Sequence, residues 1–343
     1  MKILITGGSG YFGSQLLRRI LLSGADDCTV LDIVDAADRP RDVRFVKADI
    51  RDFDAVCQAC KGIDVVHHNV AQVPLAKNKE LFETVNRGGT EVLLRAALQS
   101  RVRKVIHTSS SAVYGAPERN PVTEDMTPTP HEAYGRTKYE AELLCADYAR
   151  KGLDVTIVRP RTILGPGRLG IFQILFEWVY LGANLPVFGR GDNVYQFVHS
   201  DDLADACIAA AGRPGATTYN CGADRFGTMA QALDGLCRHA GKGSKVVQVP
   251  MAAAQFAVKL ANAIQLSPLG PYHELMYGRS MYFDSSKAKR ELGWTPKYSN
   301  DEMFAAGYDW YVEHRSEILK SKDLGGHRSA VKEGILALVR RLL

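Results

Sequence analysis

Short apolar runs alternate with amphipathic stretches from the first residues onward. Lys2 to Thr6 (KILIT) reads as a strand, ends at Gly7-Gly8-Ser9-Gly10-Tyr11-Phe12-Gly13 and is followed by a helix-like stretch to Ser23. The same pattern predicts strands over Cys28 to Leu31, Val43 to Lys47, Asp64 to His67, Lys104 to Thr108 and Val155 to Arg159. Between them fall a short helix, Phe53 to Cys60, and two long ones, Leu81 to Gln99 and Glu132 to Arg150. Regular alternation of this kind predicts an α/β fold built on a doubly wound parallel sheet with helices on both faces. From about Leu169 the alternation loosens. The expected division is a sheet domain over 1–168 with a return near 194–222, an interleaved smaller α/β lobe over 169–320, and an amphipathic tail over 321–343.

In such sheets ligands bind at the carboxyl ends of the strands, so the segments just after each strand carry the chemistry. Gly7 permits a tight turn, Gly10 lets backbone N–H groups approach a pyrophosphate, and Gly13 lets helix and strand pack closely. A phosphate would then sit at a helix N-terminus, where unpaired donors favour negative charge. Asp32, about 20 residues on, ends the second strand as a ribose-binding carboxylate should, which favours NAD over NADP. Arg39 and Arg41 keep NADP open. Thr108-Ser109-Ser110-Ser111 places hydroxyls at another strand end, where they serve either as turn caps or as reacting groups. Tyr134 and Lys138, four residues apart, share one face of the predicted helix, so a cation can stabilise the phenol's anion.

Composition adds little beyond a soluble globular class: 343 residues, 46% hydrophobic, 24% charged and a net charge of +5. That charge is modest and spread out, so no nucleic-acid partner is implied and an anionic small ligand suits it equally. The N-terminus lacks the pattern of a standard secretory signal. Seven scattered cysteines fit reduced thiols in the cytoplasm, and the Cys57-x-x-Cys60 pair lacks the second pair or histidines of a metal site, so no metal is expected.

TGGSGYFG, Asp32, Asp49-Ile50, the VAQVP stretch, VNRGGT around Asn86, SSSAVYG and Tyr134-x-x-x-Lys138 together resemble the extended short-chain dehydrogenases/reductases, in their NAD-dependent epimerase/dehydratase branch. The resemblance covers about residues 1 to 315. It implies a Rossmann-type sheet that binds NAD and a smaller, mainly C-terminal substrate-binding lobe. It assigns Tyr134 as acid/base, Lys138 as the group that lowers the phenol's pKa and holds the ribose, and Ser110 as partner of the reacting oxygen. Cofactor contacts are expected from Gly7, Gly10, Tyr11, Phe12, Gly13, Asp32, Ile33, Asp49, Ile50, Val70, Ala71, Gln72, Asn86, Thr108, Tyr134, Lys138 and the Pro160-Arg161 backbone segment.

Departures from the family bear on the substrate. The Asp-Glu pair of dehydratases reads Ser111-Ala112, so dehydration is disfavoured. The Arg-Asp with which many sugar-nucleotide epimerases clasp the diphosphate reads Tyr195-Gln196, and the Asn that often follows Arg-Tyr-Phe aligns with Thr162; Arg168, Arg190 and Arg279 are spare cations. In the resembling return strand at Phe197 to Ala204, Ser200 or Asp201 is the expected N-cap and His199 is structural. Leu169 to Tyr180 and Gln255 to Leu269 are apolar with helical period and read as lobe core before hydrophobic pocket. The tail Gly334 to Leu343 is too short to span a bilayer; it could lie on a membrane surface, meet another subunit or dock on its own domain. The expected activity is NAD-dependent epimerisation of a nucleotide-linked sugar by a homodimer. A hydroxysteroid-type dehydrogenase or ketoreductase is the alternative, and a non-catalytic NAD-binding protein is disfavoured.

Overall fold

The computed structural model describes residues 1–24, 27–73, 79–252, 278–320 and 340. Its centre is a seven-stranded sheet built from β1 (Lys2–Thr6), β2 (Asp27–Asp32), β3 (Arg44–Lys47), β4 (Val65–His68), β5 (Lys104–Thr108), β6 (Val155–Pro160) and β11 (Thr217–Cys221). The strands lie in the order β11-β6-β5-β4-β1-β2-β3, and each neighbouring pair is parallel. Parallel strands need crossovers, and α1 (Tyr11–Leu22), α2 (Phe53–Cys60), α5 (Ala133–Arg150) and α7 (Ser200–Gly212) supply them on both faces. One face buries Ile3, Ile5, Leu16, Val30 and Leu203; the other buries Leu4, Leu31, Val66, Leu93 and Val105. The predicted doubly wound sheet is therefore what forms.

Two expectations change in detail. The helix at 81–99 runs as α3 (Lys79–Leu81), a π-helical stretch (Phe82–Gly89) and α4 (Thr90–Gln99). Its glycine pair, Gly88-Gly89, is why the run fits: a Cβ on Gly89 would come 2.5 Å from Ile50 Cγ2. The cap of α7 is neither Ser200 nor Asp201 but His199, whose Nδ1 accepts from the Asp201 N–H at 3.1 Å. An imidazole acceptor replaces the hydroxyl or carboxylate that caps usually use.

The smaller lobe packs α6 (Ile171–Tyr180), α8 (Met229–Ala240) and α10 (Asn300–Lys320) around Phe172, Phe176, Trp178, Leu236 and Phe304. Short strands β8 (Leu185–Phe188) and β13 (Val246–Val249) pair in parallel at its rim. The apolar stretch at 169–180 thus belongs to a core, whereas 255–269 and, Arg340 apart, the tail at 321–343 lie outside the described residues. Between lobe and sheet run β7 (Thr162–Leu164), β9 (Val194–Tyr195), β10 (Phe197–His199), β12 (Gly227–Thr228) and the closing helix α9 (Ser286–Leu292). No helix among the described residues is long and apolar enough to cross a membrane.

Candidate functional site

The glycine turn after β1 is shaped by contacts no side chain could share. Gly7 has φ +71°, and a Cβ there would meet the Val70 nitrogen at 2.8 Å. A Cβ on Gly13 would lie 2.1 Å from the Gly7 carbonyl oxygen. Gly10 precedes α1 without a side-chain cap, so the first-turn N–H groups are left to an anion. Tyr11 and Phe12 are buried against the sheet. Asp32 accepts from the Ser9 N–H at 3.0 Å and the Ile33 N–H at 2.7 Å, which ties it to the turn, while the Ile33 side chain is exposed. Arg39 is taken up by Asp35 at 2.7 and 3.0 Å and by the Val43 carbonyl, and Arg41 is exposed.

The loop after β4 is held by its neighbours. Asn86 pairs with Gln72 in both directions, accepting from its N–H at 2.7 Å and donating to its carbonyl at 3.1 Å, and also donates to Thr137. Asn86 therefore shapes the segment carrying Val70, Ala71 and Gln72. A chain of hydrogen bonds leads to it: the Thr90 hydroxyl donates to the Asn86 carbonyl at 2.6 Å, so His68 Nε2 must donate to Thr90 and His68 Nδ1 accepts from Thr6. Ile50 packs into the core beneath Gly89. Asp49 grips Arg51, accepting from its guanidinium at 2.9 and 2.6 Å.

Ser110, Tyr134 and Lys138 come together at the ends of β5 and the start of α5. Both oxygens of Glu132 cap the helix, accepting from the Tyr134 N–H at 2.7 Å and the Gly135 N–H at 2.6 Å. Gly135 lets this helix end press on the turn at Ser111–Tyr114, since a Cβ there would lie 2.4 Å from the Ala112 carbonyl oxygen. Ser110 accepts from the Ala112 N–H at 3.1 Å and hydrogen-bonds the Tyr134 hydroxyl. Burial pushes the phenol up to about 12, against the Ser110 hydrogen bond and the positive charge of Arg168. Lys138 is buried and donates to the Thr108 carbonyl at 2.7 Å; burial brings its ammonium down to about 8, opposed by Glu142. Thr108 also donates to Asn69 at 2.7 Å.

Sequence reasoning missed the layer beneath. Glu142, one helical turn past Lys138, accepts from Arg159 Nε at 2.9 Å and Nη2 at 2.5 Å and from the Ser109 hydroxyl. Arg159 Nη1 reaches the Tyr114 hydroxyl, which in turn meets Asn220 at 3.1 Å. Its only sequence signal is the i, i+4 spacing of Lys138 and Glu142.

Pro160 ends β6, and the Arg161 N–H donates to the Cys221 carbonyl at 2.9 Å. The Arg161 guanidinium donates to the Ser111 hydroxyl at 2.7 Å and lies 4.7 Å from the Tyr195 ring centroid and 5.7 Å from that of Phe283. Tyr195 is fixed by Thr162 at 2.9 Å. Gln196 is spent on structure, donating to the Ala223 carbonyl and accepting from the Phe283 N–H. Of the spare cations, Arg168 faces Tyr11 at 5.4 Å, whereas Arg190 pairs with Asp192 on the surface and Arg279 is exposed. His199 stacks on Tyr298 at 3.8 Å.

A hydroxyl, a phenol and an ammonium next to a phosphate-ready turn are what oxidation of an alcohol at a dinucleotide requires, and they define the class as extended short-chain dehydrogenases/reductases. The chain belongs to one branch of that class, the NAD dependent epimerase/dehydratase family, whose model matches residues 3–222. It is 51% identical to the Sinorhizobium fredii protein y4nG over 339 residues, 98% of this chain and 85% of that one. UDP-glucose 4-epimerase from Thermotoga maritima, solved with UDP-glucose, is similar with a TM-score of 0.78 at 25% identity, covering 92% of this chain and 100% of that one. The dTDP-glucose 4,6-dehydratase DesIV from Streptomyces venezuelae, solved with NAD bound, gives 0.76 at 27% identity, covering 92% and 98%. The cofactor is NAD, and the cradle between Gly7 and Gly13, the uncapped α1 and the placement of Asp32 fit it.

Proposed function

We propose that the protein is an NAD-dependent epimerase of a nucleotide-linked sugar. The observation that carries this reading is the set of groups around the Ser110–Tyr134 pair: hydroxyls and a cation, with both neighbouring carboxylates already committed. Glu132 caps α5 with both oxygens, and Glu142 is held by Arg159 and Ser109. Loss of water would need a general acid for the departing hydroxyl, and Ser111 and Ala112 supply none.

In this reading the Gly7–Gly13 turn and α1 hold the pyrophosphate, Asp32 the adenosine ribose, and Lys138 the nicotinamide ribose. When bound, NAD supplies the hydride acceptor. The protein's part is proton handling: Tyr134 removes the hydroxyl proton of one epimer and returns it to the other, while Ser110 donates to the reacting oxygen. A phenol near 12 is protonated at neutral pH, so its base role needs positive charge. Arg168 already lowers it, and Lys138 sits one helical turn away. The keto sugar must turn between the two proton transfers for the configuration to invert. A homodimer packed through the helices at 79–99 and α5, where Leu143 is exposed, is part of the proposal; sedimentation of a monomer would remove that part.

The test is incubation with UDP-, dTDP- and GDP-sugars and NAD, with ring stereochemistry followed by NMR. Interconversion of epimers without net NADH supports the reading. A panel left unchanged, or net NADH formed from a hydrophobic alcohol, would sink it.

A further inference from the structure

Arg161 is among the largest fully buried side chains, yet among the described residues its guanidinium has one acceptor, the Ser111 hydroxyl. Its Nε and Nη2 are buried, and no acceptor meets them among the described residues. The rings of Tyr195 and Phe283, both buried, lie within cation–π range of it, so the charge meets aromatic faces and a hydroxyl, with no counter-ion among the described residues. A guanidinium cannot shed its proton, and a buried charge without an anion is costly, so an unsatisfied fork of this kind is built for something that arrives. Its position says what arrives. Ser111 adjoins Ser110, the partner of the Tyr134 hydroxyl, and Arg161 begins the segment running from the end of β6 towards the second lobe.

We infer that Arg161 is the substrate's anion-binding residue, its free N–H groups gripping a phosphoryl or carboxylate oxygen of the nucleotide-linked sugar beside the reacting carbon. Guanidinium forks match both groups bidentately, and the enclosing rings strengthen the contact by excluding water. Ser111 and Thr162 then act as positioning residues, the first holding Nη1 and the second fixing the Tyr195 ring through its hydroxyl. Only the identity of the ligand rests on the nucleotide-sugar reading; the demand for an anion rests on Arg161 itself.

The full chain, saturated with NAD so that the glycine turn is filled, is titrated calorimetrically with UDP, UDP-glucose, UDP-glucuronate, inorganic pyrophosphate and glucuronate, as wild type, Arg161→Gln and Arg161→Lys. Both substitutions keep the backbone that borders the cofactor, so NAD affinity within twofold of wild type certifies the fold. Arg161→Gln is expected to weaken at least one anion about tenfold to a hundredfold, and Arg161→Lys by less because charge without the fork remains. Parallel losses for UDP, UDP-glucose and pyrophosphate assign the phosphoryl group; a loss confined to UDP-glucuronate and glucuronate assigns a carboxylate; either supports the inference. Should Arg161→Gln fail to fold, unchanged binding of every probe by Arg161→Lys overturns it. Unchanged binding by Arg161→Gln overturns it too, even if the wild type proves to be an epimerase. Arg161-dependent binding of pyrophosphate with no nucleotide-sugar bound keeps the anion site and sinks the proposed function.

Discussion

The two sides of the sheet's carboxyl edge prepare recognition differently. At the β1–β2 side the work is done by backbone: Gly7 and Gly13 clear space for close approach, and α1 offers uncapped N–H groups. At the β5–β6 side the groups proposed to act are side chains from distant elements, the half-buried Ser110 and Tyr134 and the buried Arg161, Tyr195 and Phe283. Backbone recognition suits a ligand shared by a whole family, since it depends on turn geometry alone. Side-chain recognition lets the substrate change while the sheet stays the same.

The largest effect should come from the side-chain half. Tyr134→Phe removes the proposed proton carrier and is expected to lower kcat by about 10²–10⁴-fold while leaving NAD affinity unchanged, checked by turnover and NAD titration. Equal loss of NAD binding would mean the two sides are not separable. Next comes Arg159→Met, which leaves Glu142 as an unpaired charge in a pair whose side chains are 7% and 3% exposed; about 3–5 kcal/mol of stability should go, read from urea unfolding.

The backbone half is tested by Gly13→Ala. A Cβ placed 2.1 Å from the Gly7 oxygen forces the turn apart, so NAD affinity should fall by more than tenfold and stability by about 1–3 kcal/mol. A variant that binds NAD normally would show that close backbone approach is not the basis of recognition there.

The smallest effect has the opposite sign. Lys138→Met removes an ammonium that burial holds near 8 and should raise stability at pH 7 by about 1–2 kcal/mol. Because the folded pKa lies below the unfolded value of 10.5, the penalty is complete below about 8 and relieved between 8 and 10.5, where the unfolded chain binds the extra proton. The melting-temperature gap between variant and wild type should therefore narrow as pH rises through that window.

The comparison also explains what could be read in the sequence. The glycine turn, Asp32 and the strand ends were legible because each rests on local spacing or on one strand-to-helix turn, as does the Tyr134–Lys138 pair on one helix face, whereas Ser110 was singled out by the family resemblance, four residues before Tyr114. The cap of α7 was misread because nothing local announces that the His199 ring turns back onto the Asp201 N–H. The Glu142–Arg159–Tyr114 network and the enclosure of Arg161 were invisible for a stronger reason: their partners stand 17 to 45 residues apart for the first and as far as Ser111 and Phe283 for the second. Tyr195-Gln196 read as a lost phosphate contact; in the fold Gln196 splices the return strand to the closing segment, and Tyr195 lies against Arg161.

Hydride exchange at a sugar carbon, with Tyr134 moving the proton, is the central claim, and it is tested most directly by proton NMR of nucleotide-sugar turnover in D₂O with catalytic NAD. The account predicts that an epimer forms with its carbon-bound hydrogen retained from substrate, that NADH does not accumulate, and that Tyr134→Phe forms none. Deuterium from solvent at the inverted carbon would mean proton abstraction in place of hydride transfer and would contradict it.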